Sequence, residues 1–239
     1  MLDEGVPDDS IRVTGNTVID ALLDVAARVP AQSTAGARRR ILMTAHRREN
    51  FGKPLEEVFE GIRELVEARP DIEIVYPVHP NPNVSVPARR ILGGLPQVVL
   101  SEPLGYRALV AAMKRCDLVL TDSGGLQEEA PALGKPVLVL RAATERPEAI
   151  EAGVAKAIGT DRNLIFDEVT RLLDDDDAYA AMAVGCSPYG DGHAAERIVT
   201  AVSEHMNMDR KPPRVAHSNR HKARSERGTA NAESTPSQL

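Results

Sequence analysis

The sequence predicts an α/β fold built on a doubly wound parallel sheet. Two observations carry that prediction. From residue 38 to about 160, short apolar runs alternate with longer stretches whose apolar residues recur at helical spacing. Runs such as Arg40-Ile-Leu-Met-Thr44 are apolar throughout their centre, as suits strands covered on both faces. Strands alternating with helices imply right-handed crossovers and hence parallel pairing.

Taken in order, Ile11-Arg12-Val13 reads as a short strand, turned by Thr14-Gly15-Asn16. A helix follows over Thr17 to Val29, with Asn16 as its N-cap because the side-chain oxygen can accept an orphan backbone N–H. Pro30 to Ala37 reads as a linker. After the strand at 40–44, Pro54 suits the first turn of a helix with Leu55, Val58, Phe59, Ile62, Leu65 and Val66 on one stripe. Strands are then expected at Ile72–Tyr76, Val98–Leu100, Asp117–Thr121, Pro136–Leu140 and Val154–Ile158. Between them, helices are expected at Val86–Leu92, Tyr106–Arg115, Leu126–Leu133 and Pro147–Ala152. Asn163 to Glu204 reads as consecutive helices, with Asp174 to Asp177 a solvated junction.

Composition limits the function classes. The 239 residues are 42% hydrophobic and 27% charged, enough to bury a core, but only 3% aromatic with no Trp, so Leu, Val, Ile and Ala must build it. A net charge of −6 argues against wholesale nucleic-acid binding. Two cysteines, Cys116 and Cys186, are too few for a disulfide framework and fit a reducing cytoplasm. No apolar run reaches the roughly 18–20 residues of a membrane span. From His205 to Leu239, seven Lys/Arg stand against three Asp/Glu with few branched aliphatics, a net +4 that leaves −10 on residues 1–204. This stretch is expected to be a disordered basic tail, a solvated extension more than a nucleic-acid arm because it lacks interleaved aromatics.

In a doubly wound sheet, ligands bind beyond the carboxyl ends of the strands. That places four loops together: residues 45–52, 78–83, 122–129 and 141–147. The third, Asp122-Ser-Gly-Gly125, joins a strand end to an immediate helix. Ser123 can donate a hydroxyl, and Gly124 and Gly125 let backbone N–H groups approach an anion at the positive helix end. A tight strand-to-helix turn explains the glycines equally well. Neither a GxGxxG fingerprint nor a P-loop lysine motif is present, which disfavours ordinary dinucleotide or ATP binding. Glu128 and Glu129 are expected on the first turn of this helix, where a carboxylate can accept from a sugar diol or simply complement the helix dipole. Only one can face the pocket, since helical neighbours diverge by roughly 100°. His46 reads as a catalytic candidate or a structural loop histidine, and Arg47-Arg48-Glu49 as binding groups or a surface ion-pair cluster.

Six runs carry a resemblance: Val-Thr-Gly-Asn-Thr-Val-Ile-Asp-Ala (13–21), His-Arg-Arg-Glu-Asn-Phe-Gly (46–52), Tyr-Pro-Val-His-Pro-Asn-Pro-Asn (76–83), Thr-Asp-Ser-Gly-Gly-Leu-Gln-Glu-Glu-Ala-Pro (121–131), Thr-Glu-Arg-Pro-Glu-Ala (144–149) and Pro-Tyr-Gly-Asp-Gly (188–192). Together, over roughly residues 1–204, they resemble the non-hydrolysing UDP-N-acetylglucosamine 2-epimerases. The resemblance implies the Rossmann-like C-terminal domain of a B-type glycosyltransferase-like fold, with the active site in an interdomain cleft. It implies an isomerase that interconverts UDP-N-acetylglucosamine and UDP-N-acetylmannosamine by eliminating UDP to 2-acetamidoglucal and re-adding it, in the supply of cell-surface polysaccharide.

Carried over residue by residue, the resemblance puts the diphosphate on Ser123, Gly124 and Gly125, the ribose on Glu129, and a cation for the phosphates at Arg146. His46 is implied in catalysis, and Arg47 and His79 in holding a second, activating UDP-N-acetylglucosamine. Leu104 falls where backbone groups line the base pocket. Leu109 is aliphatic where the family often has an aromatic on the uracil, which implies weaker nucleotide affinity. No cofactor and no metal are expected. The implied organisation is a remnant of an N-terminal domain with hinge helix and linker (1–37), the nucleotide-sugar domain (38–204) and the tail (205–239). The proton-transfer carboxylates of the family fall outside this sequence, so a truncated epimerase is expected, inactive alone or completed by a separate N-terminal half. A family-like homodimer in the cytoplasm is the implied assembly. A non-catalytic UDP-sugar-binding module and a glycosyltransferase donor domain are the alternatives, and the His-Arg-Arg-Glu-Asn loop speaks against the last.

Overall fold

A computed structural model describes residues 1–30, 38–185 and 187–206. The linker at 31–37, Cys186 and the tail from 207 lie outside the described residues, so the expectations placed there have no structural counterpart.

Six parallel strands form one sheet: β1 (Arg39–Thr44), β2 (Ile72–Pro77), β3 (Val98–Ser101), β4 (Leu118–Thr121), β5 (Val137–Val139) and β6 (Ala155–Ala157). Their order is β3-β2-β1-β4-β5-β6. The order reverses between β1 and β4, and that switch point is where a doubly wound sheet opens a crevice for ligand. The helices are α1 (Thr17–Arg28), α2 (Lys53–Ala68), α3 (Pro82–Leu92), α4 (Tyr106–Arg115), α5 (Gly124–Ala132), α6 (Pro147–Glu151), α7 (Arg162–Asp174), α8 (Asp176–Met182) and α9 (Ala194–His205).

The two-residue period of a strand divides the sheet between two cores. On one face Ile41, Met43, Ile74, Leu118 and Leu120 pack with Phe59 and Leu65 of α2, Val84 of α3 and Val169 of α7. On the other, Leu42, Val119, Val137 and Val139 pack with Leu22 of α1, Val110 and Met113 of α4, and Ala130 of α5. The low aromatic content shows here: Phe59 and Tyr76 are the aromatic side chains that are fully buried, and they touch each other.

Asn16 caps α1 as expected, its side chain accepting from Val18 N–H at 3.0 Å. Ile11–Val13, in contrast, forms no strand, and Val13 is 95% exposed. The segment lies away from the sheet edges: Asn16 N–H donates to Tyr189 O, and Gly15, at φ +90°, lies within contact of Gly190. β-Branched residues without a neighbouring strand edge do not make a strand. Two helices begin earlier than their apolar residues indicate. α3 starts at Pro82 because Asn81 caps it through Asn83 N–H. α5 starts at Gly124, with Ser123 as N-cap. Asp175 ends α7 and caps α8 through Ala178 N–H, so the acidic run is a helix junction. No helix among the described residues is long and apolar enough to cross a membrane.

Candidate functional site

β1 and β4 end side by side, with Thr44 and Thr121 hydroxyls 2.6 Å apart. The next residue after β4, Asp122, turns inward and is fully buried. Its Oδ2 accepts from His46 N–H at 2.8 Å and Arg47 N–H at 2.7 Å, with Asn50 Nδ2 at 3.4 Å. One carboxylate therefore ties the loop after β1 to the end of β4. Asn50 extends the tie to β5, donating to Leu140 O at 3.1 Å.

Directly after Asp122, the chain enters α5. The first N–H groups of a helix have no intrahelical acceptor, and among the described residues no side chain caps this one. Gly124 and Gly125 both lack positive φ. A methyl group at Gly124 would stand 3.5 Å from Arg47 Nη2, and one at Gly125 would stand 3.9 Å from Ser123 Oγ, both ordinary contacts. Neither backbone conformation nor internal packing demands glycine here. The tight-turn explanation for the pair therefore finds no support in backbone conformation or in contacts.

The surrounding side chains converge on this turn. Arg47 donates through Nε to Asp122 O at 3.3 Å, which holds its guanidinium beside Gly124. The His46 and His79 rings stack with centroids 5.6 Å apart and planes 9° from parallel. Gln127 of α5 accepts from the Thr144 hydroxyl at 2.5 Å, and Thr144 in turn accepts from Arg146 N–H at 3.0 Å, pinning the loop after β5.

Arg146 sits in this arrangement with a partner the sequence did not reveal. Its Nε donates to Glu128 Oε1, and the pairing raises the guanidinium's pKa still further. Glu128 Oε2 also accepts from Asn16 Nδ2 at 2.7 Å. Glu129 points elsewhere, accepting from the Tyr106 hydroxyl at 2.9 Å. The divergence expected of neighbouring helical residues is therefore present, but both lie on the second turn of α5, not the first. The helix-dipole explanation weakens accordingly, since that effect falls off within one turn. Burial raises the Glu129 carboxyl above its ordinary range, and the adjacent Glu128 charge adds to this against the Tyr106 hydrogen bond. Burial, and then the bond to Glu129, push Tyr106 up to about 12.

Leu104 and Leu109 are half-buried against the core on the α1–α4 face. Tyr106, between them, also lines a groove of about 580 Å³ with Val29, Pro30, Gly105 and Ala111. Every candidate residue thus lies at the carboxyl edge of the sheet or on a helix flanking it. Asp122, Asn50, Glu128 and Tyr106 complete the cluster. Asp122, Asn50 and Glu128 each stood in a motif legible in the sequence, Asp122 as the one charged residue between a strand end and Ser-Gly-Gly; Tyr106 had no comparable signal.

The family model for UDP-N-acetylglucosamine 2-epimerase matches residues 1–203. The chain belongs to this family. It is 49% identical over 217 residues to the UDP-N-acetylglucosamine 2-epimerase of Salmonella typhimurium, covering 86% of this chain and 58% of that protein. The Escherichia coli K12 enzyme is 48% identical over 214 residues, covering 84% and 57%. Among solved structures, the Neisseria meningitidis UDP-GlcNAc 2-epimerase bound to UDP-GlcNAc superposes at TM-score 0.80 and 40% identity, covering 85% of this chain and 58% of that one. The S. aureus MnaA–UDP co-structure does so at TM-score 0.80 and 44% identity, covering 88% and 58%. A sucrose-phosphate synthase from Thermosynechococcus elongatus, 15% identical at TM-score 0.51, shares the fold alone. The chain spans under three fifths of the length of these epimerases.

Proposed function

We propose that this chain holds the UDP end of UDP-N-acetylglucosamine at the start of α5 and takes part in its epimerisation at C2. The observation that carries the reading is the pair Gly124-Gly125: glycine where the fold needs none, at a helix N-terminus that no side chain caps among the described residues. Backbone N–H groups of residues that carry no side chain of their own suit a diphosphate. The relatives solved with UDP-GlcNAc and with UDP support the same choice of ligand.

In this reading Ser123, Gly124 and Gly125 take the diphosphate. Glu129 takes the ribose hydroxyls, held by Tyr106 in the right orientation. Leu104 and Leu109 flank the uracil. Elimination breaks the anomeric C–O bond while the C2 proton leaves, giving 2-acetamidoglucal and UDP; re-addition restores the bond with the opposite C2 configuration. Charge gathers on the departing UDP, and fixed N–H dipoles already aimed at it stabilise that charge without reorganisation. Arg146 adds a cation whose position Glu128 fixes and whose charge Glu128 partly offsets. His46 stands by the sugar–diphosphate junction, where an imidazole can act electrostatically or by proton transfer. Arg47 and His79 adjoin the same turn and are assigned to a second, activating UDP-N-acetylglucosamine. A homodimer in the cytoplasm belongs to the same proposal.

The test is incubation with UDP-N-acetylglucosamine in deuterated water, with the chain alone and with the chain supplemented by the portion of a relative it does not align to. Deuterium at C2 of a manno product is the expected result. UDP binding without exchange in either arm would reduce the chain to a nucleotide-sugar-binding module, and no UDP binding would remove the proposal.

A further inference from the structure

The two oxygens of Asp122 do different things. Oδ2 is occupied by the backbone N–H groups of His46 and Arg47. Oδ1 is enclosed and, among the described residues, has no hydrogen-bond partner of standard geometry. What faces it is His46 Nδ1 at 3.3 Å. The carboxylate is fully buried while the imidazole is about a third exposed, so this pair reaches from the interior to the mouth of the site.

A buried carboxylate oxygen without a donor is costly, and an imidazole lone pair turned toward it would add repulsion. A proton on Nδ1 removes both penalties. We propose that Asp122 is the positioning residue for His46, holding the neutral ring as its Nδ1–H tautomer and presenting the Nε2 lone pair to the ligand at the Ser123 turn. The arrangement follows the general logic by which a hydrogen bond at one ring nitrogen sets the state of the other. The remaining polar groups packed around the pair are His79, stacked on the His46 ring; Arg47, bonded to the Asp122 backbone; Asn50; and Tyr76, whose hydroxyl donates to Ala45 O at 2.8 Å. None of these groups bonds to His46 Nδ1, so among the described residues Asp122 is the group that faces it and fixes the tautomer.

The inference deepens the proposed function, but its first readout is independent of turnover. Histidine-selective ¹⁵N NMR of the full chain at pH 8, where an ordinary imidazole is neutral, reports the tautomer directly, with His46→Gln assigning the resonance. Wild type is expected to show Nδ1 protonated and Nε2 bare. In Asp122→Asn the one amide oxygen must take the two backbone N–H groups, so the NH₂ faces Nδ1 and forces the Nε2–H tautomer. A role confined to holding the loop would leave the tautomer unchanged between the two proteins, and that outcome overturns the proposal. So does an Nε2–H wild type, a result that needs no variant to fold.

In the turnover assay, Asp122→Asn is expected to lower kcat at least tenfold with KM within about threefold, because the ring stays in place with the wrong nitrogen protonated. Equal falls in kcat for Asp122→Asn and Asp122→Ala, with wild-type tautomer in the former, would contradict it. A chain that binds UDP without turnover removes the catalytic part of the proposed function and leaves the tautomer result standing.

Discussion

Asn16 Nδ2 donates to Glu128 Oε2 at 2.7 Å across 112 residues of sequence. The same side chain caps α1 with its oxygen, so one amide both starts the helix before the sheet and braces a carboxylate of α5. Glu128 is nearly buried and also carries Arg146. The cap, the carboxylate and the arginine therefore form one chain of contacts from α1 to the loop after β5.

That double use separates three substitutions. Asn16→Ser keeps a capping oxygen and loses the donor to Glu128. Asn16→Asp caps as well as Asn but sets a second carboxylate against Glu128. Asn16→Ala loses both functions. Urea unfolding is expected to rank Ser above Asp and Ala, with the Ala variant about 1–3 kcal/mol below wild type from a lost cap and an under-satisfied buried acceptor. Wild-type stability in Asn16→Asp would show that the contact to Glu128 carries no weight.

Base affinity is expected to be limited by Leu109. An aliphatic side chain buries area but offers no ring to stack on uracil, and an aromatic contact is worth about 0.5–1.5 kcal/mol beyond its area. Leu109 is only half-buried, so a larger side chain has space to project. Leu109→Phe is expected to tighten UDP binding roughly three- to tenfold by calorimetry. Unchanged or weaker binding would remove Leu109 from the base pocket.

Glu129 gives the site a defined response to pH. Burial raises its carboxyl above the ordinary value of 4.5, so the folded protein holds this proton more tightly than the unfolded chain. Its contribution to stability is therefore fully present below the unfolded value and is lost as pH rises through the folded one. In the proposed function ligand binding runs the other way, because the ionised carboxylate is the stronger acceptor for ribose hydroxyls. Across that window wild type is expected to lose stability relative to Glu129→Gln, and to gain UDP affinity relative to it. The phosphate titration of UDP itself is common to both proteins and cancels in the comparison. Parallel pH profiles for the two proteins would mean that Glu129 does not touch the ribose.

Much of this organisation could be read from residue order. The strand–helix alternation, the α1 cap and the two faces of α2 follow from local chemistry and periodicity, which act over a few residues. The start of α5 lies two residues before its first apolar residue, because two glycines of poor helix propensity hide the N-terminus they form. Ile11–Val13 has the composition of a strand, but composition does not supply a neighbouring strand edge. The Arg146–Glu128 pair and the Tyr106–Glu129 bond join residues 18 and 23 positions apart on different elements, and only the sheet order brings them together. Asp122 is the instructive intermediate: its motif marks it, but that it faces inward under His46 follows from the register of β4 against β1.

In the proposed function glycine at 124–125 serves a ligand and not the fold, and Gly125→Ala separates the two roles. A methyl group at this helical position fits without a clash, so the variant is expected to be as stable as wild type or more stable by about 0.5–1 kcal/mol. The same methyl group stands where the diphosphate must approach the backbone, so calorimetric titration is expected to show UDP affinity reduced more than tenfold. A variant that binds UDP as tightly as wild type would contradict the account.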